Sequence, residues 1–279
     1  MVDKIRRLEV GSQPTMIISL LYHDVVPSGD LTSSGFPHAD AAIYKLTRPE
    51  FERHIEAIAY AAQSSEVFLL NSGQQKIPPN ALLFTFDDGG VSSMLIADLL
   101  EAQGWRGHFF IATDYIGRTG FLTASQIREL RNRGHVIGSH SCSHPARISH
   151  CTPTQLDREW RQSVQILCNC LGERVVVGSV PGGFYAPRVA EAARGARIEV
   201  LFTSEPTSRL GLTYDCLIVG RYSIQQGTSA NRVARIARGD PGPRLRQYFF
   251  WTTKKLLKRI GGHYYIALRK KLLDHYPSA

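Results

Sequence analysis

Seven short apolar runs constrain this chain more than any other feature: Met16 to Leu21, Leu82 to Phe86, His108 to Ala112, His135 to Gly138, Arg174 to Val180, Val200 to Thr203 and Leu217 to Arg221. Each is too short for an ordinary helix, and helical patterns lie between them. That alternation is the signature of βα units around a parallel sheet. Helix starts are readable in the intervals. Thr47 with Glu50, Thr123 with Gln126 and Thr152 with Gln155 have capping-box spacing ahead of runs reaching Gln63, Arg133 and Leu171, and Pro49 and Pro187 suit first-turn positions. The chain has 279 residues, of which 43% are apolar, enough for a full core. A length prior of about 150 residues per domain suggests two domains, yet α/β barrels commonly use about 200 to 250 residues as one.

The segment from Asp24 to Lys45, with Pro27, Gly29, Gly35 and Pro37, is long for a connection and follows the first predicted strand, where barrel enzymes place binding loops. It is expected to face substrate. Gly239-Asp240-Pro241-Gly242-Pro243 reads as a linker. The predicted domains are therefore a barrel over 1–243 and a basic amphipathic helical tail over 244–279. Of the formal charge of +9, the tail holds nine basic residues and one acid, so the other 243 residues carry only +1. The tail also carries Tyr248, Phe249, Phe250, Trp251, Tyr264 and Tyr265, and Gly261-Gly262 divides it. Such a piece either packs on the barrel or lies on an anionic membrane surface. With no recognised module present, nucleic acid is not an expected partner.

No apolar stretch reaches the about 18 residues of a membrane span. The six-residue run at Met16 lies behind Asp3, Lys4, Arg6, Arg7 and Glu9, a poor signal peptide, so a cytoplasmic location is expected. The five cysteines are odd in number and form no Cys-x-x-Cys pair, and they read as reduced thiols.

Two places carry chemistry. The run ending at Phe86 is followed by Asp87-Asp88-Gly89-Gly90, so two adjacent acids emerge at the carboxyl edge of the sheet, where α/β folds place their sites. A divalent cation relieves their repulsion, letting one acid be a ligand while the other stays free as a base; an acid-lined helix N-terminus is the alternative. After His135 to Gly138 comes Ser139-His140-Ser141-Cys142-Ser143-His144-Pro145, with two imidazoles four apart. Two histidines and one carboxylate form a three-ligand set with open positions, suited to zinc, cobalt or manganese.

Thr85-Phe86-Asp87-Asp88-Gly89 together with His140-Ser141-Cys142-Ser143-His144-Pro145 closely resembles the first two motifs of the polysaccharide deacetylases, the carbohydrate esterase family four group. The resemblance spans roughly Met16 to Ile224. It implies a distorted barrel of about seven βα units, metal ligands Asp88, His140 and His144, a general base at Asp87 and an N-acetylated glycan as substrate. The family's third motif, Arg-x-Pro then Tyr-Gly, is matched by Ser179-Val180-Pro181-Gly182-Gly183-Phe184-Tyr185 with Ser179 in place of the arginine. The base thereby lacks its usual tether, for which Arg221 is the candidate replacement. Backbone at Gly183 and Tyr185 is the candidate oxyanion donor, and Arg221 is grouped with it on the substrate side. The family's late Leu-x-His motif is absent after Leu217. Tyr22-His23 instead is similar to the Tyr-His motif of a branch that includes poly-N-acetylglucosamine deacetylases, which makes His23 the candidate general acid; a structural histidine satisfied by Asp24 is the competing reading.

The functional expectation is a metal-dependent hydrolase removing acetyl from an N-acetylated sugar in a polysaccharide, oligosaccharide or lipid-linked glycan. Alternatives are hydrolysis of a small non-sugar amide, an impaired glycan or membrane binder, and an Fe(II) oxygenase on the same triad. The last leaves Asp87 without a role and clashes with the βα alternation.

Overall fold

The structure, a computed structural model, describes residues 16–27, 30–73 and 75–253. Its strands in chain order are β1 (Ile17–Tyr22), β2 (Val25–Val26), β3 (Leu46–Thr47), β4 (Glu66–Val67), β5 (Ala81–Phe86), β6 (His108–Ile111), β7 (Val136–Ser139), β8 (Val177–Ser179), β9 (Val200–Phe202), β10 (Leu210–Thr213), β11 (Cys216–Val219) and β12 (Tyr222–Ser223). The main sheet runs β10-β11-β9-β8-β7-β6-β5-β1-β12, with β4 also on β5, and is parallel except for the β10–β11 hairpin. Each of the seven predicted runs overlaps a strand. The Arg174 run is shortened to β8, and ahead of it the Val175 amide is taken by Cys168 Sγ at 3.4 Å.

The two ends of this sheet are one stretch of chain. Strand β11 pairs with β9 and β12 pairs with β1, and only Gly220 and Arg221 lie between them. The last stave is therefore split, half on each side of the seam, and seven staves (β1, β5, β6, β7, β8, β9 and β11/β12) run round the barrel. Gly220 permits the seam, since a Cβ there would lie 2.4 Å from the Glu205 carbonyl oxygen.

Pleating sorts the strand residues onto two faces, and a further cluster packs Leu201 and Cys216 against Trp160 and Val189 of two helices. Ile18, Leu20, Tyr22, Leu82, Phe84, Phe86, Phe109 and Ile111 pack outward with Phe51, Ile55, Ile96, Leu100, Ile127 and Leu130 from the helices. Ile17, Leu83, Phe110, Val177, Phe202, Leu217 and Val219 form an inner cluster to which no helix contributes. Buried His108 joins this interior, with Nδ1 3.1 Å from the Phe84 carbonyl oxygen and Nε2 accepting from the Leu70 amide at 3.0 Å. Burial pushes its pKa down to about 4, so it is held neutral.

All three capping boxes form: Thr47, Thr123 and Thr152 cap helices Arg48–Ala61, Ala124–Asn132 and Pro153–Leu171, each reciprocated by the residue three along. Pro187 opens helix Pro187–Gly195. Two further helices, Ser93–Glu101 and Ala230–Ala237, carry no such signal: Ser92 makes no cap bond because its hydroxyl serves Asp24 and Val25, and Ser229 caps without an acid or amide partner. The β10–β11 hairpin turns on Tyr214 and Asp215, both at positive φ (50° and 58°), without the Asn-Gly pair that marks such turns.

The expected linker is corrected. Residues 241–253 are helical, with Pro241 and Pro243 in the first turn. Arg244 fastens that helix to the barrel by donating to the Tyr222 hydroxyl at 2.9 Å, the Gly239 carbonyl at 2.8 Å and Ser208 Oγ at 2.6 Å. From 254 onward the tail, with Gly261-Gly262 and the membrane contact expected of it, lies outside the described residues. Among the described residues no helix is long and apolar enough to cross a membrane. All five cysteines are free thiols.

Candidate metal and hydrolytic site

Strands β1, β5 and β7 deliver the chemistry at their carboxyl ends. Asp87 and Asp88 leave β5, and His140 leaves β7, with His144 one loop further on. The chain does not fall into this arrangement by propensity: Asp88 (φ 77°), Ser141 (φ 64°) and His144 (φ 53°) all hold left-handed backbone, which costs non-glycine residues about 1–3 kcal/mol each. Neighbouring structure over-determines these residues. Gly90 allows the approach of the Asp24 loop, because a Cβ there would sit 2.0 Å from Asp24 Oδ1.

Asp88, His140 and His144 converge as the sequence indicated. One potential ligand atom from each lies within 4.8 Å of the others. Asp88 Oδ1 is 3.4 Å from Nε2 of both histidines, yet it is buried and accepts a hydrogen bond from neither. The His140 Nδ1 lies 3.0 Å from the Ser179 carbonyl oxygen, and an N–H there leaves Nε2 as a lone pair facing the carboxylate. The His140 lone pair and the His144 Nε2, each 3.4 Å from an orphaned anionic oxygen, form a two-nitrogen, one-oxygen donor set that fits a divalent cation. Burial would raise the Asp88 pKa, but the adjacent imidazoles of His140, His144 and His23 pull it well below the usual carboxylate range. For His140, burial opposes the charged form, but Asp87 and Asp88 raise its pKa on balance; for His144 burial wins and lowers it.

Asp87 is built differently. Its side chain is 4% exposed, and Arg221, fully buried, grips it with two donors: Nη1 to Oδ1 at 2.7 Å and Nη2 to Oδ2 at 2.8 Å. Ser179 sits inside the same fork, donating to Asp87 Oδ2 at 3.1 Å and accepting from Arg221 Nη2 at 2.7 Å. Burial raises the Asp87 pKa, and the Arg221 charge, with His140 and His23 adding to it, more than reverses this. The grouping of Arg221 with the substrate-facing residues is therefore corrected. Its Nε also donates to the Thr203 carbonyl and its guanidinium lies over the Phe110 and Phe202 rings, so nothing of it is offered to a ligand. It is the tether of Asp87, entering from the seam of the barrel where the third motif has only a serine.

His23 follows β1. Its Nδ1 is buried with no hydrogen-bond partner among the described residues, its ring lies 4.6 Å from that of Tyr44, and its charge bears on Asp87, Asp88 and His144. The Asp24 carboxylate does not satisfy it: Oδ1 accepts instead from Ser34 Oγ at 2.6 Å and Ser92 Oγ at 2.9 Å.

Phe36 brings the Asp24 to Lys45 segment to the site. Buried Lys45 ties it from beneath by donating to the Leu31 and Ser34 carbonyls, both at 2.6 Å. Phe36 from that loop packs its ring 4.8 Å from that of His144, with Tyr115 and Phe121 behind it. Pro181–Gly183 forms one 3₁₀ turn with Gly182 and Gly183 at positive φ, and the Tyr185 hydroxyl donates to Thr213 Oγ1 at 3.2 Å. Neither Gly183 nor Tyr185 has a described contact with Asp87, Asp88, His140 or His144. Sequence reasoning passed over Ser179 as an active member of the site and passed over Phe36. The only signal for Phe36 was its place in an overlong loop.

Residues 74–201 match the family model described as polysaccharide deacetylase. A curated Bacillus subtilis (strain 168) protein, provisionally named polysaccharide deacetylase YxkH, is 24% identical over 241 residues, covering 85% of this chain and 77% of its own. Among solved structures, a polysaccharide deacetylase of Bacillus cereus, BC0361, superposes with a TM-score of 0.65 at 17% identity, over 80% of this chain and 69% of that one. IcaB from Ammonifex degensii gives 0.64 at 21% identity over 81% and 99%. The Streptococcus pyogenes deacetylase PplD, in complex with acetate, gives 0.61 at 17% identity over 78% and 97%. These structural likenesses are likenesses of fold.

Proposed function

We propose that this chain is a metal-dependent N-deacetylase that hydrolyses the acetamide of an N-acetylated sugar within a glycan, a reading supported by the match of residues 74–201 to the polysaccharide deacetylase model and by the curated relative. The single observation that carries the reading is the juxtaposition of an orphaned, buried Asp88 oxygen facing two imidazole nitrogens with a second carboxylate, Asp87, locked beside it by arginine.

Asp88, His140 and His144 would hold the cation, with zinc favoured and cobalt or manganese suited to the same ligands. A divalent ion there supplies Lewis-acid polarisation of the acetamide carbonyl and acidifies water. Asp87 Oδ2, turned towards His140 at 3.8 Å, accepts the proton of the attacking water. Arg221 keeps that carboxylate ionised and fixes its direction. The backbone N–H of Tyr185, beside the Gly182-Gly183 turn, is assigned to the developing oxyanion. His23 donates a proton to the departing nitrogen, so the products are acetate and a free amine. Phe36 and Tyr44 give the rim apolar faces suited to a sugar ring.

The test is acetate release from N-acetylglucosamine oligomers by protein stripped with chelator and then given Zn²⁺, Co²⁺ or Mn²⁺. Release that disappears on stripping and returns with metal is expected. Release indifferent to the chelator, or none with any of the three ions, overturns the proposal.

A further inference from the structure

The loop that carries the two histidines is held from outside the barrel. Helix Pro153–Leu171 packs behind it and presents Glu159 and Ser163, four residues apart and so on one face. Glu159 is 8% exposed, an unusual setting for a helix glutamate, and its carboxylate makes no ion pair among the described residues. Oε2 instead accepts from the backbone N–H groups of Cys142 and Ser143, each at 2.9 Å, and Oε1 accepts from Ser143 Oγ at 2.6 Å. Two successive N–H groups converging after a left-handed residue, here Ser141 at φ 64°, form an anion-binding concavity, and the helix fills it with its own carboxylate. Ser163, fully buried, bonds to Ser139 Oγ at 2.7 Å, which in turn accepts from the Ser141 amide at 3.2 Å. From the opposite side, Thr113 and Asp114 donate their amides to the Ser141 and Cys142 carbonyls, each at 3.1 Å.

Every bond in this set except that between Ser163 and Ser139 falls on the residues between His140 and His144. We infer that Glu159 is a positioning residue for the metal site: it holds the 141–143 backbone in the conformation that brings both imidazoles onto the Asp88 oxygen. The inference rests on the metal-binding reading above and adds a residue outside the ligand set. Glu159 touches neither ligand, base nor acid.

The test reads zinc affinity directly, by competition with a chromophoric chelator, with unfolding temperature measured separately in excess chelator. Glu159→Ala is expected to bind Zn²⁺ about 10- to 100-fold more weakly than the wild type, the usual effect of losing a group that orients metal ligands. Glu159→Gln is expected to recover most of the affinity, because its amide oxygen can accept from both backbone N–H groups. Should the alanine variant fail to fold, Glu159→Asp, which withdraws the carboxylate by one methylene, takes its place with the same expected loss. Unchanged zinc affinity with a lowered unfolding temperature means that Glu159 serves stability alone, which overturns the inference. Wild-type protein that binds no zinc overturns the metal reading itself, a distinct result.

Discussion

Removing Arg221 tests both fold and mechanism. In Arg221→Met the Asp87 carboxylate, 4% exposed, loses donors at 2.7 and 2.8 Å and retains Ser179 Oγ at 3.1 Å. Breaking a buried ion pair by deleting one partner costs about 3–5 kcal/mol, because a desolvated charge is left behind. That is a large share of the roughly 5–15 kcal/mol available to a folded domain. The cost also carries a pH signature. In the wild type the Asp87 pKa is depressed from 3.8, so its contribution is present above that value and is lost as pH falls through the folded value. Without Arg221, burial dominates and raises the pKa, so the variant recovers stability relative to wild type as acid supplies the proton. Asp87→Asn combined with Arg221→Met removes the stranded charge and should regain roughly 2 kcal/mol over Arg221→Met alone. Urea unfolding at pH 7 and pH 5, in chelator so that bound metal does not intrude, gives all three numbers. A loss below about 1 kcal/mol at pH 7, or a loss that does not shrink with acid in an additive cycle, refutes the reasoning.

Asp87→Asn on its own should keep its metal by elemental analysis while turnover falls by about 10²-fold or more, the usual contribution of a positioned base. His23→Gln should lose a comparable factor with zinc affinity unchanged, and a variant as active as wild type removes the acid assignment. His108, held neutral with its pKa lowered from 6.5 to about 4, makes the folded state refuse a proton that the unfolded chain accepts. Stability is therefore flat above about pH 6.5 and falls by up to about 3 kcal/mol by pH 4, with His54 and His135, also lowered chiefly by burial, acting in the same direction. His108→Gln should flatten that acid slope in urea titrations.

What was legible in the sequence was local. Capping boxes need four consecutive residues, strands need a short apolar run, and the paired acids and paired histidines are each contained in a few positions, so these elements and the candidate ligand set were readable. What was hidden depends on partners far along the chain. Arg221 was named as the candidate to replace the arginine missing at Ser179, but that Ser179, 42 residues earlier, shares its fork on Asp87 could be seen only once the barrel seam was folded. Glu159, among charged neighbours on an amphipathic helix, looks like one more solvated acid until the loop it supports is folded against it. The Tyr214-Asp215 hairpin escaped notice because its left-handed turn is imposed by the strands rather than advertised by glycine.

The split last stave ties the closing of the seam to the fixing of the Asp87 carboxylate. The two residues that carry the chain across from β9 to β1 include the guanidinium that Asp87 requires. A molecule with its seam open would leave the Asp87 carboxylate without its guanidinium partner and so, under the proposed mechanism, without a positioned base.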